Sequence, residues 1–136
     1  MDTTVYPNCA ASNPLKGRTI KSITGGVDKA SSATAAADVV GLAYNPKVSD
    51  GSIRCVDRGQ VWFCELETGA ANVTTTGVQM MVTANGHKAK GGGDTGLCIG
   101  TSATAPVGVP PTYSTITFTA EGKKWVWIQI APVTVT

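Results

Sequence analysis

The chain has 136 residues, of which 16 are glycine, and only 15% of its residues are charged, with a formal net charge of +2. This length fits one domain, since single cores commonly run to roughly 100 to 150 residues. The low charge density disfavours a nucleic-acid partner, because such partners are bound through clustered lysines and arginines. It is typical of a chain that covers much of its surface with other protein.

The first part of the chain predicts an arm followed by a helical turn. Residues 1–27 contain Pro7 and Pro14 and predict an extended N-terminal arm, which either wraps a neighbouring molecule or packs back on its own domain. Residues 1–20 lack an apolar run, so we expect neither a secretory signal nor a membrane anchor. The Ala-rich stretch 28–41 predicts one short helix, capped by Ser31 or Ser32 and ending near Gly41.

Everything after this stretch has the alternating pattern of strands. Strands are predicted at 39–43, 77–86, 97–103, 115–120 and 125–133, and the last two are joined by a tight turn at 121–123. Segment 52–66 aligns with 115–130 when one lysine is inserted, and each is preceded by a glycine-containing strand. The alignment indicates either a repeated unit or a chance match between two amphipathic hairpins, whose binary patterns look alike. These patterns predict an all-β fold: a single compact β-barrel or sandwich of two similar hairpin units, spanning 28–136, with the N-terminal arm outside it.

Two loops require separate interpretation. Segment 104–114 contains Pro106, Pro110 and Pro111 and predicts an exposed, extended loop. The stretch KAKGGGDTGLCIGTSA at 88–103 has the G-x-G-x-x-G spacing of a dinucleotide-binding loop. However, a β pattern follows these glycines where that site requires a helix, so we interpret the stretch as a connector to the next strand.

Residues that could support catalysis are few. His87 is the only histidine, and its turn-like surroundings predict a solvated loop residue rather than a zinc ligand. Cys98 lies between Leu97 and Ile99 in a predicted core strand, where its thiol would stay protonated. Glu65 and Glu67 share one face of a strand that enters solvent. We therefore predict no catalytic residue, no cofactor and no metal.

Cysteines and tryptophans each allow two interpretations. The four cysteines lie among apolar residues without C-x-x-C spacing, which favours buried thiols over a disulfide. Trp125 and Trp127 predict core positions, whereas Trp62 is out of phase with its neighbours and could belong to a sugar-stacking platform. A β-sandwich carbohydrate-binding or adhesin module of a tail or fibre is therefore an alternative function. The cysteines are Cys9, Cys55, Cys64 and Cys98.

The order of features from 39 to 130 resembles the decoration, or cement, proteins that coat tailed-bacteriophage capsids. The resemblance comprises VVGLAYN, then RGQVWFCEL, a V-x-x-x-G-V strand at 73–78, LCIGTSA, and the closing strand WVWIQIAP. It covers about two thirds of the chain, while residues 1–38 and the loop 85–96 depart from it.

This resemblance implies a non-enzymatic virion protein on the capsid surface, made in the host cytoplasm, that binds the major capsid protein and stabilises the phage head. It also implies a homo-oligomer, either a trimer or a dimer, without nucleic-acid or membrane partners. We expect the arm, the proline loop and the 86–96 loop to supply the capsid and subunit contacts. The residues expected there are Tyr6, Pro7, Pro14, His87, Lys88, Pro106, Pro110, Pro111 and Tyr113.

Overall fold

A computed structural model describes residues 1–108 and 112–136. The described chain is nearly all-β, with two antiparallel sheets forming a sandwich-like fold and a single 3-10 helical turn at Ala36–Asp38. The predicted all-β class is therefore confirmed. The strands are β1 (Thr3–Tyr6), β2 (Thr19–Ile23), β3 (Gly26–Lys29), β4 (Val39–Ala43), β5 (Ile53–Asp57), β6 (Val61–Glu65), β7 (Gln79–Thr83), β8 (Gly86–Ala89), β9 (Gly96–Ser102), β10 (Thr117–Ala120) and β11 (Lys123–Val135).

The two sheets are built from the same five-strand arrangement, which occurs twice along the chain. The first sheet has the order β1-β5-β4-β2-β3, and the second has the order β6-β11-β9-β7-β8. The additional strand β10 pairs with the beginning of β11, on the side that β9 occupies further along. We call residues 1–57 unit 1 and residues 61–136 unit 2.

The units agree in register as well as in order. In unit 1, Ile20 pairs with Gly41 and the register then shifts by one residue. In unit 2, Met80 pairs with Gly100 and the register shifts at the same place. A Cβ at either glycine would collide with a backbone carbonyl oxygen of the neighbouring strand, so both positions require glycine.

The segment that follows the first strand of each unit closes the sheet of that unit on itself. The segment after β1 bridges to β3 in parallel through Cys9 and Val27, and the segment after β6 bridges to β8 through Leu66 and His87. Each sheet is therefore curled towards a barrel while the two pack against each other. One apolar cluster fills the inside of unit 1, and a larger one fills unit 2 and the junction between the units.

The structure contains an internal repeat, but the predicted pair of similar hairpins at 52–66 and 115–130 is wrong, because β5 and β6 do not pair with each other. Residues 115–130 form the predicted hairpin: β10 and β11 pair across Glu121 and Gly122, which both have the positive φ that a two-residue turn needs. Segment 52–66 contains two strands as predicted, but β5 pairs with β1 and β4, and β6 pairs with β11. Its strand patterns resemble those of a hairpin because binary patterns specify faces, not partners.

Two further predictions are corrected by the strand pairing. Residues 1–27 form β1, β2 and the start of β3 within the first sheet, so they are part of the domain rather than an arm beside it. Stretch 28–41 contains the end of β3, the 3-10 turn and the start of β4, so the predicted helix is reduced to that one turn. Hydroxyl groups explain the lost helix: the Ser31 N–H donates to Thr34 Oγ1, and the Ala33 N–H donates to Ser31 Oγ, which favours turns.

Candidate functional site

A buried polar cluster lies at the junction of the two units, and His87 is at its centre. The His87 side chain has no exposed surface, because β8 is covered by the segment after β6 and by the start of β2. Its Nδ1 lies 2.9 Å from the Glu65 carbonyl oxygen, and its Nε2 lies 2.8 Å from Thr19 Oγ1. Since a carbonyl can only accept, Nδ1 donates to it and the Thr19 hydroxyl donates to Nε2.

The Glu65 side chain anchors the charged part of this cluster. Its Oε1 accepts a hydrogen bond from Arg18 Nε at 3.1 Å and lies 3.4 Å from Lys123 Nζ. The Glu65 side chain is 7% exposed and that of Arg18 is 11% exposed, so this ion pair is largely removed from solvent. The prediction that Glu65 enters solvent at a strand end is wrong, because basic residues from distant parts of the chain neutralise it.

Burial makes His87 a weak base and keeps the thiols of Cys55, Cys64 and Cys98 protonated. Burial, with a smaller contribution from the Arg18 guanidinium, lowers the pKa of His87 from 6.5 to about 4. Burial raises the pKa of the Cys55 thiol to about 12 and also raises the pKa values of Cys64 and Cys98. Thiols of this kind are not nucleophilic at neutral pH. All four cysteines are free and buried, as predicted.

The described residues contain no group of three or more histidine, cysteine or acidic side chains that could hold a metal ion.

In the glycine stretch, the Gly91 N–H donates to Asp94 Oδ2 at 2.7 Å, and Lys88 Nζ lies 3.7 Å from the same oxygen. Strand β9 follows at Gly96, whose φ of 113° suits glycine. The stretch is the predicted connector between strands.

The three tryptophans are all core residues. Trp62, Trp125 and Trp127 are 3% exposed or less. Trp62 stacks on Phe63 with ring centroids 4.6 Å apart and contacts Trp127 edge-on at 5.6 Å. Trp62 therefore cannot offer a face to a sugar, and the aromatic platform considered from the sequence does not form from these residues.

The residues predicted to contact a capsid are scattered over the surface. Pro7 and Pro14 are exposed and Tyr6 is half-buried at the end of β1. Pro106 and Tyr113 line one depression of about 310 Å³. Lys88 is half-buried, and Pro110 and Pro111 lie outside the described residues.

His87 does not belong to any surface. Its predicted role as an exposed contact is wrong because the backbone of β8 turns its side chain into the junction. The sequence Asn-Gly-His-Lys is typical of a turn and gives no sign that His87 is buried. The only such sign is that Val27, the equivalent residue of unit 1, is buried.

An uncharged sheet edge at β1 is the surface feature that the sequence did not reveal. Among the described residues, β1 pairs only with β5. The Asp57 N–H donates to the Asp2 carbonyl, and the Tyr44 N–H donates to the Arg54 carbonyl on the opposite side of β5. By alternation along an antiparallel pair, the backbone groups of Thr3 and Val5 point away from β5.

Beside this edge is a shallow groove of about 250 Å³. Val5 is 49% exposed and Val48 is 50% exposed, and they form its apolar part. The Asn45 Oδ1 atom in this groove is buried without a hydrogen-bond partner. The groove thus combines apolar surface and a free backbone edge with the exposed Arg54 side chain. Its lining residues are Val5, Asn45, Val48, Ser52 and Arg54.

No protein-family model and no curated protein matches the chain. In the part of the chain that the structure describes, no helix has the length and apolarity needed to cross a membrane.

Proposed function

We propose that this protein is a non-enzymatic structural protein that binds an assembled protein lattice, in the manner of a capsid decoration protein. The observation that carries this proposal is the contrast between its interior and its surface. The reactive side chains, His87 and the four cysteines, are buried, whereas an uncharged strand edge with exposed valines faces solvent. Such a surface suits binding to another protein through main-chain hydrogen bonds.

Strand β1 differs in charge from the outer strands β3 and β8. The outer strand β10 is also uncharged, but its Thr117 hydroxyl is hydrogen-bonded to the backbone of Val73. Strand β1 reads Thr-Thr-Val-Tyr and has no charged side chain, whereas β3 contains Asp28 and Lys29 and β8 contains Lys88. Natural proteins protect sheet edges with charges, and an exposed edge without them favours pairing with a further strand. We therefore assign the lattice contact to β1 and its groove, with an extended segment of the capsid protein as the occupant.

The identity of the lattice rests on the sequence resemblance to phage decoration proteins. Binding to the expanded lattice alone would stabilise that lattice by linkage, by about 2.7 kcal/mol per site at a hundredfold excess over the dissociation constant. The protein would then occupy the capsid surface of the virion and act as a homo-oligomer if neighbouring copies also contact each other.

Cosedimentation with unexpanded and expanded phage capsids tests this proposal. We expect saturable binding to the expanded form at a fixed copy number per capsomer. We expect loss of binding in Val5→Lys, because the lysine replaces an apolar side chain of the groove and adds a second positive charge beside Arg54. Val133→Lys is the matched control, since Val133 is 44% exposed and lies near the end of β11. Absence of binding by the wild type to any capsid would refute the lattice role, and equal binding by Val5→Lys would refute the assignment to β1.

A further inference from the structure

His87 occupies a position that is apolar in the other unit. It pairs with Val82 and bridges to Leu66, just as Val27 pairs with Ser22 and bridges to Cys9. Val27 is 2% exposed, so both positions are inside the protein. A valine therefore fits this backbone position, and the imidazole in unit 2 is not required by the strand arrangement itself.

The two ring nitrogens connect the two units. Nδ1 donates to the Glu65 carbonyl of unit 2, and Nε2 accepts from the Thr19 hydroxyl of unit 1. The junction carries other direct bonds close by: the Glu65 N–H donates to the Gly17 carbonyl at 3.0 Å, and Arg18 Nη1 donates to the Ala84 carbonyl at 3.3 Å. The imidazole is thus one part of a small hydrogen-bonded contact between β2 and the end of β6.

Charged groups approach His87 from three elements. The Arg18 guanidinium comes from the residue before β2, and the Glu65 carboxylate from the end of β6. Lys123 Nζ of β11 lies 3.4 Å from Oε1 of that carboxylate. On β8 itself, the Lys88 ammonium is directed to Asp94. Since Glu65 is already shared by two basic side chains, it offers little compensation to a third positive charge.

We propose that His87 is an acid-sensitive latch, in which protonation of Nε2 removes the acceptor for Thr19 and loosens the junction between the two units. The proposal is independent of the identity of the lattice partner. An imidazolium at this place would be fully buried, would face Arg18, and would require the Thr19 hydroxyl to turn its lone pair towards the ring.

The sign of the pH effect follows from the direction of the pKa shift. The pKa of His87 is lowered from 6.5 to about 4 in the folded protein, so the unfolded chain binds the proton more readily. The stabilisation is complete above pH 6.5 and is lost as the pH falls from 6.5 to about 4. At pH 5 the folding equilibrium constant should be about 30-fold lower than at pH 7.5 through this group alone.

Urea unfolding between pH 7.5 and 4.5 tests the latch on the wild type and on His87→Val. We expect the variant to lack the roughly 30-fold loss at pH 5, since valine cannot be protonated. Thr19→Val is the second variant: it retains His87 but removes the hydroxyl that favours the neutral ring, so its acid-dependent loss should be smaller than that of the wild type. Wild-type acid dependence in both variants would overturn the proposal.

Hydrogen exchange at pH 5 separates opening of the junction from global unfolding. We expect the amides of Glu65 and Leu97, which donate to Gly17 and Ser32 across the junction, to lose protection in the wild type relative to His87→Val. The Ala30 amide, which donates to the Thr19 carbonyl within unit 1, should lose less protection than these two amides. Equal loss at all three amides would overturn the latch and indicate whole-molecule destabilisation.

Discussion

The first strand of each unit has the same place in its sheet but a different role. In unit 1, Thr3-Thr4-Val5-Tyr6 pairs with β5 and leaves Val5 49% exposed. In unit 2, the equivalent residues Val61-Trp62-Phe63-Cys64 pair with β11, and Phe63 is 4% exposed. The same backbone arrangement therefore supplies an outer edge in one unit and the centre of the core in the other. The side chains decide which role each strand has, because the large aromatic side chains of β6 fill the core, whereas β1 offers only small ones and Tyr6.

The aromatic residues around Phe63 explain why unit 2 contains most of the core. Phe63 contacts the rings of Phe118, Trp125 and Trp127 at centroid distances of 5.2–5.5 Å. Lys16 of unit 1 lies over two of these rings, 5.8 Å from the centroid of Phe63 and 5.6 Å from that of Trp125. No equivalent aromatic cluster forms around Val5 among the described residues.

Truncation of the two equivalent side chains should show the largest difference. We expect Phe63→Ala to lower the free energy of unfolding by about 4 kcal/mol, because it opens a cavity among four aromatic rings. Val5→Ala should cost less than about 0.5 kcal/mol, because half of the Val5 side chain already faces solvent. Urea unfolding followed by tryptophan fluorescence measures both, and similar costs would contradict the division between core and edge.

Loss of an ion pair across the junction should have the next largest effect on the free energy of unfolding. Glu65→Gln should cost about 3 kcal/mol, since it leaves the largely buried Arg18 without a carboxylate. Glu121→Gln is the matched control: its partner Lys16 also crosses the junction at 2.9 Å, but the Glu121 side chain is 61% exposed. The control should cost less than about 1 kcal/mol. If the two variants were equally destabilised at neutral pH, the buried cluster would not hold the units together.

Substitution of the two equivalent glycines, Gly41 and Gly100, should have a smaller effect that is the same in both units. Gly41→Ala and Gly100→Ala should each cost about 2 kcal/mol, because a Cβ at either place meets the carbonyl oxygen of Val56 or Gln129. Gly92→Ala is the control, since open space surrounds that position. Equal costs are expected in thermal unfolding, and a cost at only one of the two glycines would contradict the equivalence of the units.

Local patterns in the sequence predicted most strands, but apart from the β10–β11 hairpin they did not predict which strands pair. Strands β4, β7, β9, β10 and β11 lie where alternation and turn residues placed them. Strand β1 was missed because Pro7 follows it closely and because its partner β5 is about 50 residues away. Tertiary pairing of this kind overrides a local preference for an extended arm.

The polar cluster was unpredictable for a related reason. Glu65 is buried because Arg18 and Lys123, which are 47 and 58 residues away along the chain, converge on it. His87 follows an Asn-Gly pair and looks like a loop residue until its equivalence with Val27 is known. The cysteines were predicted correctly because their apolar neighbours are adjacent in the sequence.

Hydrogen exchange at the β1 edge tests the central claim, that this edge is open in the free protein and is covered by the lattice partner. In the free protein, the Thr3 and Val5 amides should exchange rapidly, whereas the Thr4 and Tyr6 amides, directed at β5, should be protected. Addition of expanded capsids should protect Thr3 and Val5. Protection of these two amides in the free protein, or rapid exchange in the bound protein, would contradict the account.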